Sequence, residues 1–335
     1  LSKADIEVFE FGGIEPNPRH TTVNKGAEFC RDNKIDVLLA VGGGSTIDCT
    51  KVMAATAYYG GDCWDLIRHK AEVTDVLPIF TVLTLSATGS EMDSGGVISN
   101  IDTNEKLAIL HPLMLPKVSF LDPTITYTVP TFQTAAGSAD IIAHIFDMCY
   151  FNRHKKMYML DKVMEAVLTT VIKYAPIAIK EPNNYEARAN LMWASSWALN
   201  GFLIGGPFQA TTCHQIEHEL SAFYDITHGL GLAIVMPRWM EYVLDETTAP
   251  DFYKFGVNVL GVPNNLSIID GAKEAIARFK NFLFKDLGLQ SSLSEIGIDA
   301  TNFKIMAEKA CKGDVLHGYR DLAPKDVEKI FEMCL

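Results

Sequence analysis

The sequence predicts an α/β amino-terminal domain, doubly wound and Rossmann-like with a mostly parallel sheet, joined to an all-α carboxy-terminal domain. Three observations predict it. Apolar runs that read as buried strands alternate with helical stretches over the first third of the chain. One of those strands ends in Gly42, Gly43 and Gly44 and passes straight into a helix. After Val129-Pro130 no convincing strand recurs, and each long stretch has helical periodicity. The domains are therefore expected at 1–129 and 130–335.

Ile6 to Phe11 alternates apolar and acidic residues and reads as a strand, followed by the turn-rich loop Gly12 to Pro18. Thr21 to Asn33 reads as a helix with Thr22 as its N-cap. Val37 to Val41 is a continuous apolar run, as expected of a strand buried on both faces of a parallel sheet. Thr46 to Tyr59 is helical. The strand–glycine–helix order aims free backbone N–H groups at a phosphate, although Gly42 to Ser45 matches neither a G-x-G-x-x-G fingerprint nor a P-loop. A tight turn without a ligand is the alternative reading. Val76 to Thr84 is a further buried strand, and it runs into Ser86, Thr88, Gly89 and Ser90, a polar loop or a second edge of a phosphate or ribose site. Val97 to Asn100 and Lys106 to Leu110 form a hairpin about Asp102 to Asn104. Val118 to Leu121 is a short strand closed by Asp122-Pro123.

In the second half, helices are expected at Thr134–Tyr150, Lys156–Lys173, Tyr185–Leu203, Thr211–Tyr224, Gly229–Val243, Ser267–Leu287, Asn302–Cys311 and Pro324–Met333. Glu181 to Asn184 and Asp245 to Pro250 read as loops. Thr227 is placed to N-cap the helix behind His228.

With 335 residues, 48% of them hydrophobic, the chain can bury one large core or two ordinary ones. A formal net charge of -12 argues against nucleic acid or an anionic membrane as the main partner. No apolar run is long enough to span a bilayer, and none reads as a signal peptide. Seven scattered cysteines without a C-x-x-C pair fit reduced thiols of a cytoplasmic protein.

The chemistry concentrates in two segments. In Ser138 to His144, Asp140 and His144 are four residues apart; so are His214 and His218 in Cys213 to Pro237, where His228 follows. Four residues along a helix bring side chains ~40° apart around the axis, one turn above the other. Two helices each offering such a pair can close on one divalent metal. The alternative is solvated or core histidines, but the flanking Ile141, Ile142, Ile145 and Leu220 put a carboxylate into apolar surroundings, where it needs a partner. Spacing alone does not decide whether His214 or His218 is a ligand.

These segments, in order, resemble the iron-containing (group III) alcohol dehydrogenase family, in the branch of butanol dehydrogenases and broad aldehyde reductases. The resemblance is carried by FGGIEPNP from Phe11, AVGGGSTID from Ala40, TLSATGSEM from Thr84, LDPTITYTVP from Leu121, SADIIAH from Ser138, EARANLMWASSWALNG from Glu186 and CHQIEHELSAFYDITHG from Cys213. It implies a dehydroquinate-synthase-like fold, with Asp140, His144, His214 and His228 as metal ligands and His218 beside the substrate, as proton relay or orienting group or, alternatively, as a support for the metal site. It also implies Gly42, Gly43, Gly44 and Ser45 on the cofactor pyrophosphate, and Thr84, Ser86, Thr88 and Lys106 along the cofactor pocket. The cofactors implied are Fe(II), with zinc as the alternative, and NADH or NADPH. Four N/O ligands leave open positions on a five- or six-coordinate Fe(II), whereas they fill a tetrahedral zinc.

The expected activity is hydride transfer between nicotinamide and a small primary alcohol or aldehyde such as butanol or butanal, in a homodimer or larger homo-oligomer. The alternatives are a glycerol-dehydrogenase-like enzyme and a shortened, non-catalytic relative. Family members carry an additional segment ahead of Ile6 to Phe11. On that resemblance the sheet here is expected to show an unpaired edge, without the loop that separates NADH from NADPH users.

Overall fold

A computed structural model describes residues 2–4, 6–151, 157–203 and 211–335. Its parallel sheet has the order β1-β2-β5, with β1 at Leu38–Gly42, β2 at Ile79–Leu83 and β5 at Val118–Phe120. Leu38 pairs with Ile79 and Gly42 with Leu83, while Phe80 pairs with Val118. The hairpin forms as read: β3 (Gly95–Asn100) is antiparallel to β4 (Glu105–Leu110), with Ser99 opposite Lys106. Helices α1 (His20–Asp32) and α2 (Gly44–Tyr59) pack on each other, and α2 packs on β1 and β3. The short α3 (Cys63–Ile67), which the sequence did not announce, is capped by Asp62, whose carboxylate accepts from Trp64 N at 2.9 Å.

Two expectations for this half fail for one reason. Ile6 to Phe11 is not a strand, because among the described residues its backbone pairs with nothing. Phe9 and Phe11 of this stretch pack on Phe29. Nor is the run from Val37 to Val41 buried on both faces. It forms an edge strand, leaving Leu39 41% and Val41 58% exposed on the same face as Phe120, at 54%. Hydropathy reports what a strand tolerates, not which neighbours cover it. Thr22 is not an N-cap either. The cap position is Arg19, without a side-chain bond, and the Thr22 hydroxyl donates to Glu15 at 2.9 Å.

Past residue 130 the described residues form helices and no strand beyond the single bridge Leu316–Leu322: α4 (Thr131–Ile145), α5 (Tyr158–Lys180), α6 (Tyr185–Ala198), α7 (Thr212–Tyr224), α8 (His228–Tyr242), α9 (Ala249–Val259), α10 (Ile268–Asn281), α11 (Phe303–Ala310) and α12 (Pro324–Met333). Wider-pitch turns of π type extend α4 through Phe146–Tyr150 and α10 through Phe282–Asp286. The expected start of α5 at Lys156 lies outside the described residues. Helix α9 replaces part of the loop expected at Asp245 to Pro250. Pro250 sits in its first turn, where a missing N–H costs nothing. Thr227 occupies the N-cap position of α8 but makes no side-chain cap bond.

The core of this half is one apolar cluster centred on α4 and α8, with Phe146, Trp239, Phe252 and Phe279 fully buried. Helices α4 and α8 approach closely because Gly229 allows it: a Cβ there would lie 2.0 Å from the Ala136 carbonyl oxygen. That contact brings the start of α8, and His228 with it, beside Asp140.

Candidate functional site

Asp140 and His144 lie one turn apart on α4, His214 is in the first turn of α7, and His228 opens α8. Their side chains meet. Asp140 Oδ1 stands 3.6 Å from His144 Nδ1, 3.7 Å from His214 Nε2 and 3.8 Å from His228 Nε2. These separations are too long for hydrogen bonds. They match ligands each about 2.1 Å from one central ion, for which a tetrahedral arrangement gives about 3.4 Å between donors.

The donors suit a cation in another respect. Asp140 Oδ1, His144 Nδ1 and His214 Nε2 are buried without a hydrogen-bond partner, and buried polar atoms are rarely left so. Although burial would raise the Asp140 carboxyl, the surrounding imidazoles hold it well below the usual carboxylate range, so it is an anionic ligand at neutral pH. Burial pulls His144 down to about 4, which keeps its lone pair available. Burial opposes a charge on His214 too, but Asp140 and Asp147 push it up to about 9. A divalent ion binding there displaces that proton, so its affinity rises with pH.

Two carboxylates that sequence reasoning missed hold the histidines. Asp147 Oδ2 is 2.8 Å from His214 Nδ1 and also accepts from His214 N, while Oδ1 accepts from Cys213 N at 3.0 Å. Glu217 bonds His228 Nδ1. In each case the carboxylate occupies Nδ1 and turns Nε2 toward Asp140. A signal was present for Asp147, seven residues past Asp140 and so on the same helical face. Glu217, His218 and His228 also lie close enough to suggest a second ion. Glu217 is already spent on His228 and Ser221, however, with the Lys106 ammonium 3.9 Å away.

His218 does not join the cage. Its ring lies 6.4 Å from that of His214 and 5.5 Å from that of His228. Burial, with Lys106 and His228 beside it, keeps it uncharged.

The cage forms one wall of a cavity of about 570 Å³, to which His144, His214, His218 and His228 contribute. Gly44, Ser45, Thr88 and Lys106, from the sheet side, line the same cavity. Gly44 begins the sixteen-residue α2 behind an N-cap, Gly43, that offers no side-chain acceptor, so the first N–H groups of the helix are free for an anion. A Cβ on Gly44 would lie 2.3 Å from Thr88 Oγ1, so the turn and the Thr88 loop need a glycine to meet. Gly42, Gly43, Thr84 and Ser86 do not line this cavity. Gly42 O accepts from Thr84 N at 3.0 Å, which joins β1 to the end of β2. Ser86 faces a separate small pocket with Thr134 and Arg188.

Asp48 was also missed. Its carboxylate accepts from Ser90 Oγ at 2.5 Å and Val97 N at 2.9 Å, tying α2 to β3, and burial raises it to about 6.

The family model for iron-containing alcohol dehydrogenase matches residues 1–123, and that for the carboxy-terminal part of the Fe-containing alcohol dehydrogenase family matches 134–335. The chain is 50% identical over 334 residues to NADH-dependent butanol dehydrogenase A of Clostridium acetobutylicum, covering 99% of this chain and 85% of that protein. It is 37% identical over 308 residues to the NADPH-dependent aldehyde reductase YqhD of Escherichia coli, covering 91% and 78%. The crystal structure of NADH-dependent butanol dehydrogenase A from Thermotoga maritima superposes with a TM-score of 0.92 at 37% identity, covering 99% of this chain and 85% of that one.

Proposed function

The chain belongs to the iron-containing alcohol dehydrogenase family, and from that premise we propose that it interconverts small primary alcohols and aldehydes, butanol and butanal among them, using NADH. One observation carries the reading: three histidines of the Asp140 cage and the N-terminus of α2 line a single cavity. The relatives at 50% identity, both named NADH-dependent butanol dehydrogenases, support the substrate and the cofactor.

Bound in the cage, Fe(II) would supply Lewis acidity toward an alcohol or aldehyde oxygen, and a bound nicotinamide would supply the hydride chemistry. Asp140, His144, His214 and His228 would hold that ion, with zinc as the alternative occupant. Gly44 and Ser45 would present backbone N–H groups to the pyrophosphate, with Gly42 and Gly43 setting the turn. Lys106, Thr88, Thr84 and Ser86 would complete the cofactor side, Thr84 and Ser86 through backbone support. His218, uncharged and on the cavity wall, would orient the substrate oxygen or pass its proton to solvent.

The domains implied are 1–129 for the cofactor and 130–335 for metal and substrate. The same reading makes the protein a cytoplasmic homodimer or larger homo-oligomer. Among the described residues no helix is long and apolar enough to cross a membrane.

The test is NADH oxidation by butanal, followed at 340 nm after anaerobic loading with Fe(II). We expect turnover that a chelator abolishes, and slower turnover with NADPH. A rate no higher than that of the chelated protein would remove the assignment.

A further inference from the structure

Glu217 lies between a metal-cage histidine and a lysine from the other half of the molecule. It is fully buried on α7. One oxygen bonds His228 Nδ1 and stands 3.9 Å from Lys106 Nζ; the other accepts from Ser221 Oγ at 2.5 Å. Lys106 Nζ is itself 3.4 Å from His228 Nδ1. Two groups of opposite chemistry thus contend for one ring nitrogen. The carboxylate accepts a proton held on Nδ1, whereas the ammonium, donor only, calls for a lone pair there. The winner sets the tautomer. With the proton on Nδ1, the Nε2 lone pair faces Asp140 and the ion site; with the lone pair on Nδ1, an N–H faces it and coordination is lost.

Space is reserved for this carboxylate. A Cβ at position 231 would lie 2.6 Å from Glu217 Cγ and 2.7 Å from its Oε1, so α8 must carry a glycine where it passes.

We infer that Glu217 is the positioning residue that fixes the metal-binding tautomer of His228 against the competing Lys106 ammonium. The inference rests on the metal reading above and goes beyond it, because it concerns what selects the ligand's protonation pattern rather than which residues bind. Removing the charge of Glu217 leaves Lys106 unopposed, and removing Lys106 as well ends the competition.

The experiment titrates Co(II) into the metal-free protein and reads the affinity and the visible absorption of the bound ion. Glu217→Gln is expected to weaken Co(II) by about 10–100-fold and to alter the spectrum. Adding Lys106→Met to it is expected to recover at least several-fold of that loss, a rescue that a purely structural role for Glu217 does not provide. If the native protein binds no Co(II), it is the metal reading that fails. If the native protein binds it and Glu217→Gln binds it equally well, or if the second substitution recovers nothing, the inference about Glu217 is overturned. Should Glu217→Gln not fold by circular dichroism, Ser221→Ala, which removes only the hydroxyl steadying Glu217, decides in its place: a several-fold weaker affinity supports the inference and an unchanged one overturns it.

Discussion

His214 and His218 are one helical turn apart, on one helix, yet only the first reaches Asp140. His214 Nε2 is 3.7 Å from Asp140 Oδ1, while the His218 ring is set nearly perpendicular to that of His214, at an interplanar angle of 89°. The two positions should separate on substitution. His228→Ala should cost more than about 100-fold in metal affinity, above the range for groups that only support a ligand, with activity lost alongside. His218→Ala should keep metal stoichiometry and lower kcat. Metal analysis of the two purified variants checks this directly, and normal metal content in His228→Ala would break the ligand set. At this scale the sequence was legible where ligands come as turn-spaced pairs flanked by apolar residues. It was silent on Glu217. In Gln215-Ile216-Glu217-His218-Glu219 two carboxylates are equally plausible, and the buried one is chosen only when α8 packs there with Gly231.

Helices α4 and α8 carry three of the four cage residues, so the distance between the two helices sets the cage. Gly229 fixes that distance, since a Cβ there would overlap the Ala136 carbonyl. Gly229→Ala is expected to destabilise by about 1–3 kcal/mol through overpacking, despite the better helix propensity of alanine. It should also weaken metal binding, because His228 is the adjacent residue. Urea unfolding of the metal-free protein, compared with a metal titration, measures both. A stable variant with native metal affinity would show that α8 has room to shift. The elements themselves were legible where periodicity is long, as for α7, α8 and the β3–β4 hairpin. They were misread where the deciding partner is not local. Ile6 to Phe11 alternates like a strand but joins no ladder among the described residues, and Asp245 to Pro250 reads as a loop although Pro250 only begins a helix.

Polar contacts join the two halves, and Asn17, which lines the cavity, is at their centre. Its Oδ1 accepts from Lys106 Nζ at 2.9 Å, and its Nδ2 donates to Asp225 Oδ1 at 3.0 Å and to the Ile226 carbonyl at 3.1 Å. Arg19 reaches the same Asp225 at 3.0 Å, and Glu91 meets Ser196 farther along. One side chain thus clasps the sheet-side lysine to the turn that delivers His228. Asn17 also has φ of +52°, a left-handed conformation that asparagine tolerates and alanine resists. Glycine is therefore the cleaner probe, because it keeps the backbone and deletes the clasp. Asn17→Gly is expected to cost about 1–3 kcal/mol, since the Lys106 ammonium loses a buried partner. It should also weaken NADH binding to the metal-free protein, because Lys106 loses the bond that holds it at the cavity. Asn17→Ala should lose more stability than Asn17→Gly by the backbone cost alone, with the same loss of NADH affinity. Equal stabilities for the two variants would mean that the turn relaxes, and native NADH affinity in both would mean that Lys106 is held without the clasp.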